Sequence, residues 1–233
     1  LEDCKDANEY LIKYGKESLR EKIVSAPQCP LENVVTAKDV ANDLENFYLN
    51  GHQKGFGVGL QEFDSIFTTY TKQFIVVTGF PSSGKSDFVD QMCVGYNLLY
   101  NWKIAYASTE NFPAYLHVDK IVRKFYGNKP DQQQVKNKDW QNTVQYVSDN
   151  FFHINYDDGY DLDKVLKKGE ELVKRKGIRC LVIDPYNKVR FKDGKNLSIN
   201  DYTNEYLNKI DSFCKKHDVL VILVAHPTKP EKI

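Results

Sequence analysis

The chain has 233 residues with 32 basic and 32 acidic side chains, so its formal charge is zero. This length suits one good-sized domain with an appendage, and the neutral balance argues against a generally basic nucleic-acid coat, although it leaves local basic patches possible. No apolar run approaches the length of a membrane span, and no signal peptide opens the chain.

The five cysteines are scattered and form no CxxC pair. Cys93 and Cys180 lie within apolar stretches, which predicts buried free thiols in a reducing compartment. Because the first residue is Leu and not Met, we expect the sequence to be a piece of a longer protein.

The first 55 residues or so show helical patterns and no convincing strand. Asp6 is placed to cap a short helix that runs through Tyr14 and ends at Gly15. A second helix is predicted at 16–25, ahead of the break that Pro27 and Pro30 impose.

A third helix is predicted to begin at Thr36, with Asp39 in a capping-box-like position, and Gly51 and Gly55 end that segment. Its apolar residues recur at helical spacing and form one stripe: Val40, Leu44, Phe47 and Tyr48. A single amphipathic helix cannot bury its own stripe. The stripe must therefore dock on the main domain or on another subunit.

From about residue 56 the pattern becomes an alternation of strands and helices. The predicted strands are 73–78, 103–108, 151–155, 178–183 and 219–225. The predicted helices are 84–100, 114–126, 137–149, 161–176 and 199–217. Strands separated by helices predict an α/β fold with a mostly parallel sheet between two helical layers. The polar stretch 187–198 is predicted to be a long loop.

Residues 79–86 read GFPSSGKS and directly follow the apolar run 74–78, which is the strand–loop–helix setting of a P-loop. Inward-facing backbone N–H groups and the helix N-terminus would cradle phosphates. Lys85 would reach the β- and γ-phosphates, and Ser86 would ligate Mg²⁺. The predicted nucleotide-binding residues are Gly79, Ser82, Ser83, Gly84, Lys85, Ser86 and Asp87.

Three further candidates follow the predicted strands, at the sheet edge where ligands gather in open α/β folds. Asp184 would hold Mg²⁺ through water, opposite Ser86, and Glu110 suits the general base that orients the attacking water. His226 would contact the γ-phosphate. The alternatives are a surface-turn Asp, a solvated or helix-capping Glu, and a His that makes a structural hydrogen bond.

The stretch 188–195 is basic and contains one aromatic residue. Arg190, Lys192 and Lys195 would contact the backbone of single-stranded DNA if this loop binds nucleic acid. A solvated charged loop is the competing interpretation.

The ordered set GFPSSGKS, STE, LVIDPYN and LVAHPTK resembles the RecA-type domain of DnaB-like replicative helicases, closest to phage Toprim primase-helicases and Twinkle-type mitochondrial helicases. The opening CKDANEYL looks like the end of a Toprim primase region. The resemblance implies a Toprim tail at 1–30, a linker helix at 31–55 and a RecA-like ATPase core at 56–233 that is incomplete at its C-terminus.

The same resemblance implies an ATP- or NTP-driven hexameric ring on single-stranded DNA, with no membrane association. Lys85, Glu110 and His226 would be catalytic, Ser86 and Asp184 would hold Mg²⁺, and the arginine finger would lie downstream of this chain. The implied location is the cytoplasm of a bacterial or phage-infected cell, ahead of the mitochondrial matrix.

Two other functions fit a P-loop. One is a RecA-like recombination or regulatory ATPase that uses ATP as an assembly switch. The other is a small-molecule kinase, which would need a phosphoacceptor pocket that nothing in the sequence marks.

Overall fold

A computed structural model describes residues 4–26, 34–51, 54–110, 113–155, 161–185 and 198–227. The chain divides into two compact units, residues 1–53 and residues 54–233. None of the helices in the described ranges has the length and apolar character needed to cross a bilayer. The predicted break at Pro27 and Pro30 lies outside these ranges, as does most of the loop predicted at 187–198.

The first unit opens with helix α1 (Ala7–Val24), and Asp6 caps it by accepting a hydrogen bond from the backbone N–H of Glu9 at 2.8 Å. Gly15 breaks the helical backbone with φ 82° and ψ 170°, a left-handed φ that favours glycine. The predicted cap and the predicted interruption are both confirmed.

Helix α2 (Ala41–Asn50) begins five residues after Thr36, so the predicted N-cap is wrong. The Asp39 carboxylate accepts bonds from the backbone N–H and the hydroxyl of Thr36, at 2.8 and 2.7 Å. These bonds close a separate turn ahead of the helix. The stripe residues of the prediction are all exposed: Val40, Leu44, Phe47 and Tyr48.

The second unit contains one five-stranded sheet in which every pairing is parallel, in the order β1-β5-β4-β2-β3. Its strands are β1 (Gln73–Thr78), β2 (Lys103–Ser108), β3 (Phe151–Ile154), β4 (Ile178–Asp184) and β5 (Leu220–Ala225). The central strands are continuous apolar runs because helices cover both faces of the sheet.

The helices of this unit are α3 (Gln61–Ile66), α4 (Lys85–Tyr100), α5 (Ala114–Tyr126), α6 (Lys138–Asn150), α7 (Leu162–Lys176) and α8 (Ile199–His217), with a 3₁₀ turn at Gln134–Lys136. Alternate residues of one strand serve two cores. Val182 packs with residues of α4 and α5, whereas Leu181 and Ile183 pack with residues of α7 and α8. The predicted α/β fold with helices on both faces is therefore confirmed, with boundaries shifted by one residue at several ends.

The segment ahead of β1 has structure that could not be predicted from the sequence. Phe56 and Thr69 exchange backbone hydrogen bonds of 2.6 and 3.0 Å, and helix α3 lies between them. This segment passes directly over α4 at Gly95, where an added Cβ would lie 2.1 Å from the carbonyl oxygen of Val58. Only glycine permits this approach.

The prediction that Cys93 and Cys180 are buried free thiols is confirmed. Cys93 and Cys180 are free thiols with no exposed surface, and Cys214 is buried in the same way.

Candidate nucleotide-binding site

The loop between β1 and α4 has the backbone of a phosphate cradle. Ser82 and Gly84 adopt left-handed conformations, with φ 62° and 83°, so the chain curls back as it enters the helix. The backbone N–H of Ser83 donates to the carbonyl of Phe80 at 3.2 Å. A Cβ at Gly79 would lie 3.0 Å from the Ser83 hydroxyl, so a side chain there would crowd the loop.

Lys85 opens helix α4 and is 8% exposed. Its ammonium donates to the carbonyl oxygen of Phe80 at 2.8 Å, so the charge lies against the loop. The first turn of α4 also directs its free backbone N–H groups and its positive dipole end toward this loop. The combination favours an anion such as a phosphate group.

Ser86 and Asp184 meet across the sheet edge. The Ser86 hydroxyl donates to Oδ2 of Asp184 at 2.8 Å, although 98 positions separate them in the chain. Asp184 is 2% exposed, and its other oxygen has no hydrogen-bond partner among the described residues. Burial raises the pKa of Asp184, and the charges of Glu110 and Asp90 raise it further.

This donor set fits a divalent cation. A buried carboxylate with a free oxygen, beside a hydroxyl and an anion cradle, supplies the oxygen ligands that Mg²⁺ takes in nucleotide sites. Ser86 and Asp184 are the residues that would hold it.

Glu110 and His226 form the other half of the edge. His226 Nε2 lies 3.5 Å from Oε1 of Glu110, and both side chains are partly exposed. The backbone N–H of Thr109 donates to the Asp184 carbonyl at 3.1 Å, which ties the end of β2 to the end of β4. The Nδ1 atom of His226 is buried and has no partner among the described residues.

The structure thus joins Ser86 to Asp184 and Glu110 to His226, and Glu110 and His226 both act electrostatically on Asp184. Asp87 is not joined to them: its exposed carboxylate pairs with Lys124 at 3.0 Å. The predicted DNA contacts lie outside the described residues: Arg190, Lys192 and Lys195.

One buried cluster beside this edge is absent from the sequence-based predictions. His117, on α5, is hydrogen-bonded both to Asp90 on α4 and to His153 on β3. They lie on three separate elements, 27 and 36 positions apart in the chain, so no spacing pattern connects them.

The fold and this edge define a RecA-type P-loop nucleotide-binding protein. The family model described as the AAA domain matches residues 70–232, and the chain belongs to that family. It is also 32% identical, over 239 aligned positions, to the Twinkle homolog protein, chloroplastic/mitochondrial, of Arabidopsis thaliana. That alignment covers 97% of this chain and 33% of the relative, so the chain spans about a third of the relative's length.

Two solved structures share the fold. One is described as an ATPase domain and superposes with a TM-score of 0.65 at 15% identity, over 84% of this chain and 73% of that chain. A DnaB-like replicative helicase, described with its interactions with primase, gives 0.63 at 15% identity, over 96% and 56%. The resemblance to DnaB-like helicases is confirmed. At 15% identity, the two solved structures show only that the fold is shared.

Proposed function

We propose that this chain is the ATPase motor of a replicative DNA helicase, in which hydrolysis of ATP or another NTP drives movement along single-stranded DNA. The observation that carries the proposal is the 2.8 Å contact between Ser86 and the buried Asp184, at the sheet edge that also holds Glu110 and His226. The match of nearly the whole chain to a Twinkle homolog supports it.

Lys85 and the loop N–H groups would bind the β- and γ-phosphates, and Asp87 would complete the nucleotide-binding set at the same helix start. Ser86 and Asp184 would hold Mg²⁺, which when bound neutralises charge on the phosphate oxygens. The backbone of Gly79, Ser82, Ser83 and Gly84 would complete the cradle.

Glu110 would accept a proton from the attacking water, because a carboxylate near the γ-phosphate can both orient and polarise that water. His226 would sense the γ-phosphate. Its 3.5 Å separation from Glu110 makes a coupled response feasible, since movement of either side chain changes the surroundings of the other.

The proposed assembly is a hexameric ring in which a neighbouring subunit supplies an arginine to each active site. Residues 1–30 would end a Toprim primase region, and helix α2 would dock its stripe on the neighbour. Changing Leu44 and Phe47 to Asp in the full-length protein should give folded monomers with weak nucleotide binding, measured by light scattering and circular dichroism. Asn42→Asp with Asn46→Asp, on the opposite side of α2, adds the same charge and should leave the ring intact.

For the DNA interface, we propose that Arg190, Lys192 and Lys195 contact single-stranded DNA through its phosphates. Replacing all three with Gln should weaken binding for every sequence and flatten its dependence on salt concentration. If the dependence of DNA affinity on salt concentration is unchanged, these residues do not contact DNA and the loop is a solvated charged loop.

The decisive experiment is strand displacement on a forked duplex by the full-length protein with ATP and Mg²⁺. We expect unwinding that stops with Lys85→Ala, because this change removes the charge that faces the phosphates. ATP hydrolysis without unwinding would instead indicate a recombination or regulatory ATPase.

We propose the bacterial or phage-infected cytoplasm as the location of the protein, and organelle targeting in cells would contradict this.

A further inference from the structure

Two buried polar side chains and one half-buried histidine form a hydrogen-bonded chain between the sheet and its helices. Asp90 Oδ1 lies 2.9 Å from His117 Nε2, and His117 Nδ1 lies 2.7 Å from His153 Nε2. Asp90 is 3% exposed and His117 is 1% exposed. We refer to these three residues as the Asp–His–His network.

The hydrogen atoms of the network can be assigned by chemistry. The Asp90 carboxylate accepts, so Nε2 of His117 carries a hydrogen; the bond to His153 holds one further hydrogen on either ring. Burial first, and then the electrostatic effect of the neighbouring His117, lowers the pKa of His153 to about 4, so His153 is neutral at physiological pH. Both nitrogens of His117 are occupied by these bonds, which leaves none to ligate a metal.

The network lies beside the candidate active site. Asp90 belongs to the P-loop helix α4, four residues after Ser86, and therefore lies on the same side of that helix. His117 belongs to the first turn of α5, the helix that follows Glu110. The ring of Tyr106, on the strand that leads into Glu110, lies 4.6 Å from the His117 ring.

The network thus anchors to the P-loop helix both segments that border Glu110. Strand β2 approaches it through Tyr106, whose ring also stacks on His153 at 5.6 Å and 14°. Helix α5 contributes His117 itself. A displacement of α5 or of Tyr106 relative to α4 would shift an element that is adjacent to Glu110 in the chain.

We propose that His117, oriented by Asp90 and His153, is a positioning residue for Glu110. This inference rests on the proposed function, because it takes Glu110 as the general base. A buried polar network that only stabilised the fold would alter thermal stability without selectively lowering kcat. A positioning role predicts a loss confined to kcat, because a displacement of about 1 Å at a reacting group can cost about a hundredfold in rate.

The test is a double-mutant cycle in the full-length protein. Asp90→Leu with His117→Phe removes the hydrogen bond and the buried charge together, so the fold is not left with an unpaired carboxylate. We expect kcat for ATP to fall at least about tenfold, with KM and nucleotide affinity within about threefold. In a Glu110→Gln background the same pair should cost less than about twofold, because the group being positioned is already gone.

Two further variants separate positioning from stability. Asp90→Asn keeps an acceptor for His117 and should keep kcat within about threefold of wild type. Ile121→Val shortens a buried core side chain of α5 one turn further on and keeps all three network residues, so it should lower the thermal midpoint while leaving kcat unchanged. If the paired variant does not fold, His153→Phe, which removes only the outer hydrogen bond, replaces it in the cycle.

The outcomes are distinct. Wild-type kcat in a folded network variant overturns the inference, as does an equal loss with and without Glu110. Turnover that is unchanged by Glu110→Gln alone overturns both the base assignment and the positioning role. A third outcome rejects the inference alone. If Lys85→Ala abolishes nucleotide binding, but the network variant and Glu110→Gln lower kcat additively, the proposed function stands and the positioning role does not.

Discussion

His153 should make the folded domain sensitive to acid. Burial holds its pKa at about 4 in the folded protein, against an ordinary value of 6.5. Above pH 6.5 the ring is neutral in both states, so it contributes nothing to the pH dependence. Between pH 6.5 and 4 the unfolded chain binds a proton that the folded protein does not, so the free energy of unfolding falls as the pH falls.

The gap between the two pKa values corresponds to a loss of at most about 3 kcal/mol, complete below about pH 4. A change of about 1 kcal/mol moves the thermal midpoint of a chain of this size by roughly 2–4 °C. The effect is therefore large enough to follow by urea unfolding or by thermal scans at several pH values.

The matched variant is His153→Phe, which keeps a ring against Tyr106 and removes the titrating group. Its stability at pH 7 should be lower, because His117 loses a hydrogen bond, but its decline toward pH 4 should be shallower than that of wild type by about 2–3 kcal/mol. Parallel stability curves for the two proteins between pH 7 and 4 would refute the reasoning.

Three other outcomes are expected. Glu110→Gln should preserve ATP affinity and cut turnover by about a hundred- to ten-thousand-fold, measured by steady-state kinetics; a loss below about tenfold would move the base elsewhere. Ser86→Ala should reduce Mg²⁺-dependent turnover with little change in metal-free nucleotide binding, and a normal metal titration would contradict its role. Gly95→Ala should lower stability by roughly 1–3 kcal/mol or more, because its Cβ would meet the Val58 carbonyl at 2.1 Å; Leu98→Ala, on the exposed side of the same helix, should be much milder.

The main architecture could be predicted because parallel strands have a strong local signal. Each strand is a short apolar run bounded by helical patterns, and the strands at 73–78 and 103–108 match their predictions to the residue. The segment ahead of β1 could not be predicted in the same way. Its order comes from hydrogen bonds that no periodicity marks, such as those that the Asp64 carboxylate accepts from the backbone of Val58 and Gly59.

The start of helix α2 shows how a short motif can mislead. Thr36 and Asp39 have capping-box spacing, and their side chains do bond to each other. The same carboxylate oxygen takes both bonds from Thr36, so the pair stabilises an isolated turn. Sequence spacing fixes which side chains can meet, but it does not fix whether the backbone continues as a helix afterwards.

The candidate site also contains residues that the sequence predicts and residues that it does not. The residues that follow strands could be predicted, because topology alone brings the ends of parallel strands to one edge. His117 could not, since its partners lie 27 positions before it and 36 after it, on a helix and a strand that meet only in the folded core. The residues next to a single buried histidine in the sequence do not predict which distant side chains will hydrogen-bond to it.

The burial of Asp184 relates the residues that follow the strands to the buried network around His117. A carboxylate that is 2% exposed, with one oxygen bonded to Ser86 and the charges of Glu110 and Asp90 acting on it, is energetically unfavourable when it is ionised. A bound cation would relieve that cost, which supports the proposal that Ser86 and Asp184 hold one. Asp90 is itself buried on the P-loop helix and is held there by its hydrogen bond with His117. A site that concentrates negative charge in this way needs its surroundings fixed, and the Asp–His–His network lies where it can fix them.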